Sequence, residues 1–543
     1  MLQQSRVRPE STPGGRPRTR RVVDALAVLA VVAPFLVAAV AVLLGRELVL
    51  GGDQALLALD SFDVRHLDQP LGAYSRTGWA HPGPAWLVLL APSYWLFGSG
   101  GTALVAASLL VHALFAALVV LLAGTGRAWQ RPVVAVVVLG YVLAMPAVHF
   151  ASVWNPWAAL LPTALLLLLA ARACAGSVVA FAGGVLVGGY LVQTHIGTAP
   201  LVALVVLVSA VVLVRRLVRE PADRPGPPAL RGAVLLGAAA VLLWVPPLWQ
   251  QLTAPAGRGN LGLLLDYFLH GDPAETGGST DWPGAASAVG QMLGAPVFGW
   301  QAQPAPIDTA IRDASVFGLL ALQLLGALVV AVLGARVPGR RATWLAVVTG
   351  VATGAALVAA RTVSGPLQNY LLAWVTVLPA VLLLAAVWVV LDRWDRRGLA
   401  SGRTGLAVLT AVAVALSAGV SFSLARSTDR DLGDQPGAAE AARLALDELP
   451  APDETGPVLL EIRDIDLWTT ATTVALDLAQ AGYPVTVRER WVYGFGSDRV
   501  TTGEEEWRVV LAHERPGGAE RPGQAGVVGT AGGPTAVLVQ QGG

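Results

Sequence analysis

The segment from Gly52 to Pro84 reads GDQALLALDSFDVRHLDQPLGAYSRTGWAHPGP. It follows an apolar stretch, Ala25 to Leu44, that is long enough to cross a membrane as a helix. Charged side chains beside a membrane are costly to keep, so this loop is predicted to carry a functional site. Its acidic and basic residues include Asp53, Asp60, Asp63, Arg65, Asp68, Arg76 and His81.

The composition places the whole chain among integral membrane proteins. Of its 543 residues, 55% are hydrophobic and only 13% are charged, and the mean hydropathy is +0.61. A soluble globular protein of this length carries fewer apolar and more charged residues. The net charge of +1 gives no sign of a nucleic-acid partner. The single cysteine, Cys174, excludes an internal disulfide.

Apolar windows of about 19 residues predict a polytopic α-helical protein with about eleven transmembrane helices. A twelfth apolar stretch, Trp86 to Phe97, is shorter and contains Pro92, which favours an interfacial or re-entrant helix. The predicted spans are Ala25 to Leu44, Ala103 to Ala123, Val133 to Val148, Trp157 to Leu169, Val178 to Val192, Ala199 to Val214, Ala233 to Leu248, Val316 to Leu333, Trp344 to Ala360, Leu371 to Leu391 and Leu406 to Leu424.

The arginines predict the orientation of these spans in a plasma membrane. Residues 1–22 form a basic N-terminus that should stay in the cytoplasm, because cytoplasmic segments carry an excess of positive charge. If Trp86 to Phe97 does not cross, five arginine-bearing loops also lie in the cytoplasm, and if it does cross, all five lie outside. The loops carry Arg127 and Arg131, then Arg172, then Arg215, Arg216 and Arg219, then Arg336, Arg340 and Arg341, and last Arg393, Arg396 and Arg397.

This orientation brings the remaining polar motifs to the outer face. Residues 23–424 are predicted to form the transmembrane domain, in which 46–102 make the first extracytoplasmic loop with its interfacial helix. Residues 425–543 are predicted to form a small extracytoplasmic C-terminal α/β domain. Its Gly/Pro-rich part, Arg515 to Pro534, is expected to be flexible. The outer motifs are HFASVWNPW (His149 to Trp157), QTHIGTAP (Gln193 to Pro200), WQQLTAPAGRGN (Trp249 to Asn260) and RTVSGPLQNY (Arg361 to Tyr370).

An exported loop that opens with Gly-Asp after the first span, continues with YSRTGWAHPGP and is followed by WNP and QTH motifs resembles the GT-C superfamily. These are membrane glycosyltransferases, including actinobacterial arabinosyl- and mannosyltransferases, that take a sugar from a polyprenyl-phosphate carrier. The local resemblance covers Asp53 to about Pro200. It implies transfer of a hexose or pentose to a cell-envelope glycan, lipid or protein on the outer face. The family often has two adjacent acidic residues in the first loop, whereas here Gln54 follows Asp53.

The chemistry that the resemblance implies gives each polar residue a role. Asp53 is the predicted catalytic base for the acceptor hydroxyl. Arg76, His81 and Arg361 are predicted to bind the departing phosphate, since arginine and protonated histidine suit an anion. Three residues, Asn155, Gln193 and His195, are predicted to orient sugar hydroxyls. Trp79 and Trp154 are possible sugar-stacking residues.

Simpler structural roles stay open for the same residues. Asp53 is equally placed to cap a helix that begins at Gln54, and His81 begins a His-Pro-Gly-Pro stretch that suits a rigid turn. For Trp79 and Trp154 an interfacial aromatic belt is the favoured interpretation. No cofactor is predicted; a divalent metal is possible but nothing in the sequence indicates one, since HExxH and CxxC patterns are missing.

Two other functions compete with the glycosyltransferase. A transporter or flippase of lipid-linked saccharides would be expected to carry charges in mid-span, and the predicted spans are almost free of them. A non-catalytic scaffold for envelope assembly would explain the missing second acid. The partners expected in the first case are a polyprenyl-phosphate-sugar donor, an envelope acceptor and the lipid bilayer, with no nucleic acid.

Overall fold

The computed structural model of the chain describes most of its residues. The described ranges are 17–64, 66, 69–75, 77–98, 100–124, 126–220, 225–255, 257–270, 279–299, 304–336, 340–395, 402–430, 435–514 and 520–541.

The described part of the membrane domain consists mainly of helices. Three 3₁₀ segments, Trp157–Ala159, Ile196–Thr198 and Asn369–Val377, extend the N-terminal ends of α-helices. The α-helices are α1 (Pro17–Leu43), α2 (Asp53–Val64), α3 (Ala85–Leu90), α4 (Pro92–Phe97), α5 (Gly101–Ala123), α6 (Gln130–Ala144), α7 (Val148–Ala151), α8 (Leu160–Cys174), α9 (Val178–Thr194), α10 (Ala199–Arg219), α11 (Pro227–Leu243), α12 (Val245–Thr253), α13 (Asn260–His270), α14 (Trp282–Phe298), α15 (Ala314–Gly334), α16 (Arg341–Thr362), α17 (Leu378–Asp395) and α18 (Arg403–Arg430).

Among the described residues, nine helical segments are long and apolar enough to cross a membrane. The two other predicted spans correspond to α6 and α9, which have 15 and 17 residues and are shorter than a typical span. The protein is therefore a polytopic α-helical membrane protein, while the count of eleven stays a prediction. The last span continues to Arg430, beyond the predicted limit at Leu424.

The arginine-bearing loops gather at one end of the helical bundle. Arg131, at the start of α6, places Nη1 2.6 Å from a carboxylate oxygen of Asp24 in α1. Arg127 pairs with Asp392 and Asp395 near the end of α17. The ends of these helices therefore share one face of the bundle, which we call the basic end. The opposite face, which we call the domain end, carries the C-terminal domain.

The apolar segment after the first loop does not cross the bundle. It forms α3 and α4, which are separated at Ala91 because Pro92 begins a new helix. The Trp86 indole donates to the carbonyl of Val153 over 2.8 Å, and the Tyr94 hydroxyl donates to the carbonyl of Ala58 over 2.7 Å. Both helices are thus tied to other segments of the domain end.

The C-terminal domain is a mixed five-stranded sheet with helices packed on it. The strand order is β2-β1-β3-β5-β4. β1 pairs in parallel with β2 and β3, and β5 runs antiparallel to β3 and β4. The elements are α19 (Pro436–Glu448), α20 (Pro452–Thr455), β1 (Val458–Ile462), α21 (Trp468–Gln480), β2 (Val485–Val487), α22 (Val492–Phe495), β3 (Trp507–His513), β4 (Gln524–Thr530) and β5 (Gly533–Gln541).

The stretch from Arg515 to Pro534, which was predicted to be flexible, contains the edge strand β4 in its second half, and its flexibility stays a prediction. Residues 515–519 lie outside the described residues. The glycines of β4 allow α19 to pack closely on the strand. A Cβ atom added to Gly526 would come 2.8 Å from Leu444, and one added to Gly437 would collide with the Gly529 carbonyl. The glycines that suggested flexibility are therefore required for close packing.

Candidate active site

The described residues of the YSRTGWAH motif, 74–75 and 77–81, form the two sides of a short β-hairpin beside α2. Tyr74 and Ala80 form an antiparallel bridge, and the backbone N–H of His81 donates to the Ala73 carbonyl over 2.7 Å. Residues paired across two strands share a face, so Tyr74 and His81 lie on opposite faces of the hairpin. The side-chain amide of Asn260 makes two hydrogen bonds to the backbone of Ala80, at 2.8 and 2.9 Å, and so fixes the second strand.

A tyrosine of the hairpin donates a hydrogen bond to Asp53. The Tyr74 hydroxyl donates to Oδ1 of Asp53 over 2.5 Å. Asp53 is the first residue of α2, and the carbonyl of Gly52 accepts the backbone N–H groups of Ala55 and Leu56. Asp53 therefore occupies the first helical position, not the capping position before a helix at Gln54. A phenol donating to a carboxylate favours the ionised form of that carboxylate.

The C-terminal domain covers this side of the hairpin. The ring centroid of Tyr74 lies 6.3 Å from that of Trp468 and 6.1 Å from that of Tyr493. Trp468 and Tyr493 stack on each other at 5.6 Å with an angle of 15°. Burial raises the pKa of Tyr493, and the negative charge of Asp53 adds to this effect. The candidate base therefore lies close to an aromatic surface supplied by the C-terminal domain.

Two further acids of α2 also meet the C-terminal domain. Arg499 places Nη2 2.5 Å from Oδ2 of Asp63, and both side chains are less than a quarter exposed. Burial raises the pKa of Asp60 well above its ordinary value, Asp63 and Asp498 raise it further, and Arg499 opposes them. Asp60 is therefore a second carboxyl of altered acidity, two helical turns from Asp53.

Two histidines lie close together on the opposite face of the hairpin: His81 of the hairpin itself, and His195, which follows α9. The hydrogen bonds of each ring determine its neutral tautomer. The backbone N–H of Ile196 donates to Nδ1 of His81 over 3.1 Å, so Nε2 of a neutral His81 carries the proton. Nε2 of His195 lies 3.2 Å from the carbonyl of Leu371, which can only accept, so Nδ1 of a neutral His195 is an acceptor. That Nδ1 atom is buried and has no hydrogen-bond partner among the described residues.

Burial favours the neutral form of both rings. It lowers the pKa of His81 well below its ordinary value, with a smaller contribution from His195. It lowers the pKa of His195 to about 4. The ring centroids are 5.4 Å apart. The predicted role of His81 at the phosphate stays a prediction, and in their neutral forms the pair offers one donor and one acceptor.

The amide side chains of Asn155 and Gln193 donate hydrogen bonds to backbone carbonyls near the histidine pair. Asn155 donates to the Thr194 carbonyl, and Gln193 donates to the Leu243 carbonyl, each over 2.8 Å. Oε1 of Gln193 is buried without a partner, and a Cβ atom added to Gly83 would lie 2.4 Å from it. These donor groups hold α8, α9, α11 and the first loop together. Because their N–H groups are used in this way, the predicted contact of Asn155 and Gln193 with sugar hydroxyls would involve their side-chain carbonyl oxygens. That contact stays a prediction.

The two predicted stacking tryptophans lie in separate aromatic clusters. Trp79 contacts Tyr267 at 5.6 Å and Phe268 at 6.1 Å between ring centroids, both on α13. Trp154 lies 4.7 Å from Tyr370 and 5.6 Å from Trp157. Both tryptophans are half-buried. Trp79 shares its side of the hairpin with His81, whereas Trp154 belongs to a cluster with the Asn369–Val377 segment.

Arg361 is a half-buried cation in the last turn of α16. Hydrogen bonding from the Gly284 N–H lowers the pKa of Asp281, as do the charges of Arg312 and Arg361. Arg312 takes the ion pair with Asp281, at 2.9 Å. Within the described residues, Arg361 therefore has a nearby acid but no ion pair of its own. Arg76 lies outside the described residues.

One group of possible metal ligands occurs in the described residues, and it lies in the C-terminal domain. Asp464, Asp466 and His513 sit at one end of β1 and β3 and are mostly solvent-exposed. Glu461, nearby on β1, is buried and pairs with Arg463 at 2.7 Å and Arg488 at 2.9 Å. β1 is an interior strand of the sheet, and a carboxylate buried there needs paired cations.

The sequence analysis missed the residues that hold the site together. Tyr74 lies in the quoted motif, but nothing in its spacing pointed to Asp53. Trp468, Tyr493 and Arg499 are more than four hundred residues away in sequence from the helix that they cover. Asn260 ends the WQQLTAPAGRGN motif, and its position on the outer face was the one available signal.

Comparison with known proteins identifies the fold. No protein-family model matches the chain, and no curated protein sequence matches it. The crystal structure of ArnT from Cupriavidus metallidurans bound to undecaprenyl phosphate superposes with a TM-score of 0.53 and 14% identity, covering 97% of this chain and 98% of that one. The apo structure of the same ArnT gives 0.53 and 16%, covering 96% and 98%. An oligosaccharyltransferase from Archaeoglobus fulgidus reaches a TM-score of 0.41 at 13% identity, covering 85% and 64%, which is too low to carry an argument.

Because the ArnT superposition covers nearly the whole of both chains, it includes the C-terminal domain as well as the helices. The chain therefore shares the fold of this ArnT. At these identities the likeness concerns the fold alone.

Proposed function

We propose that the protein is a membrane glycosyltransferase that transfers a sugar, a hexose or pentose, from a polyprenyl-phosphate carrier to a cell-envelope acceptor. The reaction takes place at the domain end, which we assign to the outer face of the membrane, with the N-terminus in the cytoplasm. The observation that carries the proposal is the position of Asp53. It begins the first loop helix, accepts the Tyr74 hydroxyl and lies near aromatic rings of the C-terminal domain.

The fold supports a lipid-linked donor. ArnT, which shares the fold over almost its whole length, was crystallised with undecaprenyl phosphate. The separation of charge in this chain agrees with a reaction at one membrane face. The basic end holds ion pairs such as Arg131 with Asp24, whereas the buried histidines and the paired acids of α2 lie at the domain end.

In the proposed step, the oxygen of the acceptor hydroxyl forms a bond to the anomeric carbon of the donor sugar. The bond from that carbon to the phosphate oxygen breaks, and polyprenyl phosphate leaves with the electron pair. The Asp53 carboxylate takes the hydroxyl proton, which is general base catalysis. No cofactor is assigned to the step.

In this proposal, two groups of residues bind different parts of the polyprenyl-phosphate sugar. Arg361 and Arg76 stabilise the negative charge of the departing phosphate, since a guanidinium offers a planar fork of donors. The neutral pair of His81 and His195 serves the sugar, because a hydroxyl both accepts and donates a hydrogen bond. Trp79, on the same side of the hairpin, supplies an apolar surface next to His81, 5.8 Å away between ring centroids.

The proposal is tested with the purified full-length protein, radiolabelled polyprenyl-phosphate sugars and an envelope extract. Asp53→Asn should lower turnover by roughly two or more decades, while retention of the carrier lipid stays near that of the wild type. Asp266→Asn is the matched control, because Asp266 is a largely exposed acid on α13.

Three outcomes separate the alternatives. Wild-type turnover with loss in Asp53→Asn supports the proposal. Turnover retained by Asp53→Asn but lost in Asp60→Asn transfers the role of base to Asp60. No transfer by the wild type with any of the donors, together with tight binding of the carrier, favours the non-catalytic scaffold or the flippase.

A further inference from the structure

A groove of about 520 Å³ opens at the basic end of the bundle, far along the spans from the candidate active site. Its wall is one face of α1, closed by a residue from the end of α5 and one from the start of α6. The groove is lined by Arg21, Asp24, Ala25, Val28, Leu29, Val32, Leu121 and Arg131.

The charges of the groove are concentrated at its outer end. Oδ2 of Asp24 forms ion pairs with two arginines: it lies 2.6 Å from Nη1 of Arg131 and 3.8 Å from Nε of Arg20. Arg21 is exposed and has no ion pair among the described residues. Nε of Arg131 is buried without a hydrogen-bond partner among the described residues. The one acid is thus compensated, and the groove keeps an excess of positive charge together with an unused buried donor.

The rest of the groove is apolar and extends toward the middle of the bundle. From Arg21 to Val32 the helix rises by about 16 Å, which is close to the thickness of one leaflet of the hydrocarbon core. Leu29 and Leu121 are partly exposed along this length, at 57% and 40%. A polar head at Arg21 and an acyl chain along Val28, Leu29 and Val32 would fit together.

We propose that this groove binds an anionic phospholipid of the leaflet at the basic end. The phosphate lies against the exposed guanidinium of Arg21 at the outer end of the groove, beside the Arg131–Asp24 pair, and one acyl chain follows the apolar face of α1. Basic pockets between helices at a membrane surface attract anionic head groups, because each arginine near the surface adds to the attraction. The volume lies within the usual range for a small-molecule site. The proposal is independent of the glycosyltransferase reaction.

The test uses the full-length protein in detergent, exchanged with equal amounts of phosphatidylglycerol and phosphatidylcholine, and native mass spectrometry to count the retained lipids. The wild type should retain phosphatidylglycerol in preference to phosphatidylcholine. Arg21→Gln should reduce retention of phosphatidylglycerol by about fivefold, the effect of one arginine near a membrane surface. Arg219→Gln is the matched control, because Arg219 is exposed at the basic end but lies outside the groove.

A second variant tests the apolar part of the site. Ala25→Trp should fill the groove and also reduce retention, while Arg21 stays in place. The proposal is overturned if the wild type retains both lipids equally, or if Arg21→Gln and Arg219→Gln lose phosphatidylglycerol to the same extent. In the first case the groove does not select an anionic lipid, and in the second the arginines act only through the general charge of the surface.

Discussion

The hydroxyl of Tyr74 donates to Oδ1 of Asp53 over 2.5 Å, and this bond joins the hairpin to the first residue of α2. The tyrosine ring lies beside Trp468 and Tyr493 of the C-terminal domain. The orientation of the proposed base is therefore set by three parts of the chain, which meet only in the folded protein.

Tyr74→Phe should keep the ring packing and remove the hydrogen bond to Asp53. We expect turnover to fall by about tenfold with little change in KM, because the carboxylate loses a donor that orients it and favours its ionised form. Steady-state kinetics with a polyprenyl-phosphate sugar measure both constants.

Tyr493→Phe is the control for this prediction. It removes a hydroxyl from the same aromatic cluster without removing the bond to Asp53. Equal losses in the two variants would show that packing of the cluster, and not the bond to Asp53, limits the reaction.

The single cysteine permits a direct test of orientation. Cys174 is buried at the end of α8, so it should not react with a membrane-impermeant maleimide in intact cells. In a Cys174→Ala background, Arg463→Cys in the C-terminal domain should be labelled in intact cells. Arg219→Cys at the basic end should be labelled only after lysis. Labelling of Arg219→Cys in intact cells would contradict the proposed orientation.

The sequence predicted the membrane class and the separation of polar residues between the two ends. Hydropathy reports apolar length, and the arginine loops report which ends lie together. Hydropathy and the positions of the arginines can be determined from short segments of sequence. They can therefore be used without knowing how the helices pack. The pairing of Arg127 with Asp392 and Asp395 agrees with the predicted grouping of the loops.

The arrangement inside the site could not be predicted in the same way. The sequence could not show that the Ile196 N–H bonds to His81 or that burial beside His195 lowers the pKa of His81. The contact of α2 with Arg499 joins residues more than four hundred positions apart. Such contacts depend on how the chain folds back on itself, and a single sequence carries no periodic signal for them.

The ion pair of Asp63 with Arg499 should stabilise the docking of the C-terminal domain. Arg499→Met should lower the free energy of unfolding by about 2 kcal/mol, because it leaves a partly buried carboxylate beside Asp60 without its cation. The double variant with Asp63→Asn should lose less than the sum of the two single variants. Thermal unfolding in detergent measures these changes.

Arg443 provides the surface control. It pairs with Glu440 and Asp447 on α19, and all three side chains are about half exposed. Arg443→Met should therefore change the free energy of unfolding much less than Arg499→Met does. A loss equal to that of Arg499→Met would show that the Asp63 pair has no special role in docking.

Asp477 on α21 should make the stability depend on pH. Burial raises its pKa to about 6, and Glu47 of the first loop adds to the effect. A carboxyl with a raised pKa binds its proton more tightly in the folded state, so stability should fall as the pH rises from about 4 to about 6. Asp477→Asn should remove this dependence and stabilise the protein by about 1 to 2 kcal/mol at pH 7, since the group is partly solvated. The free energy of unfolding is measured from about pH 4 to about pH 6 for both proteins. If it changes with pH in the same way in the wild type and in Asp477→Asn, the raised pKa of Asp477 is contradicted.

Arg361 and Asp281 should affect binding of the carrier lipid in opposite directions. Arg361→Ala should weaken binding of polyprenyl phosphate by roughly one to two decades, the effect of one lost charge-assisted contact, and Arg361→Lys should recover only part of it. Asp281→Asn should strengthen binding a few-fold, because the amide keeps an acceptor for the Gly284 N–H while Arg312 and Arg361 lose a compensating charge. Arg258→Ala, which removes an exposed arginine of the loop before α13, should leave binding unchanged. If Arg361→Ala and Arg258→Ala bind the lipid equally well, the phosphate lies elsewhere at the domain end.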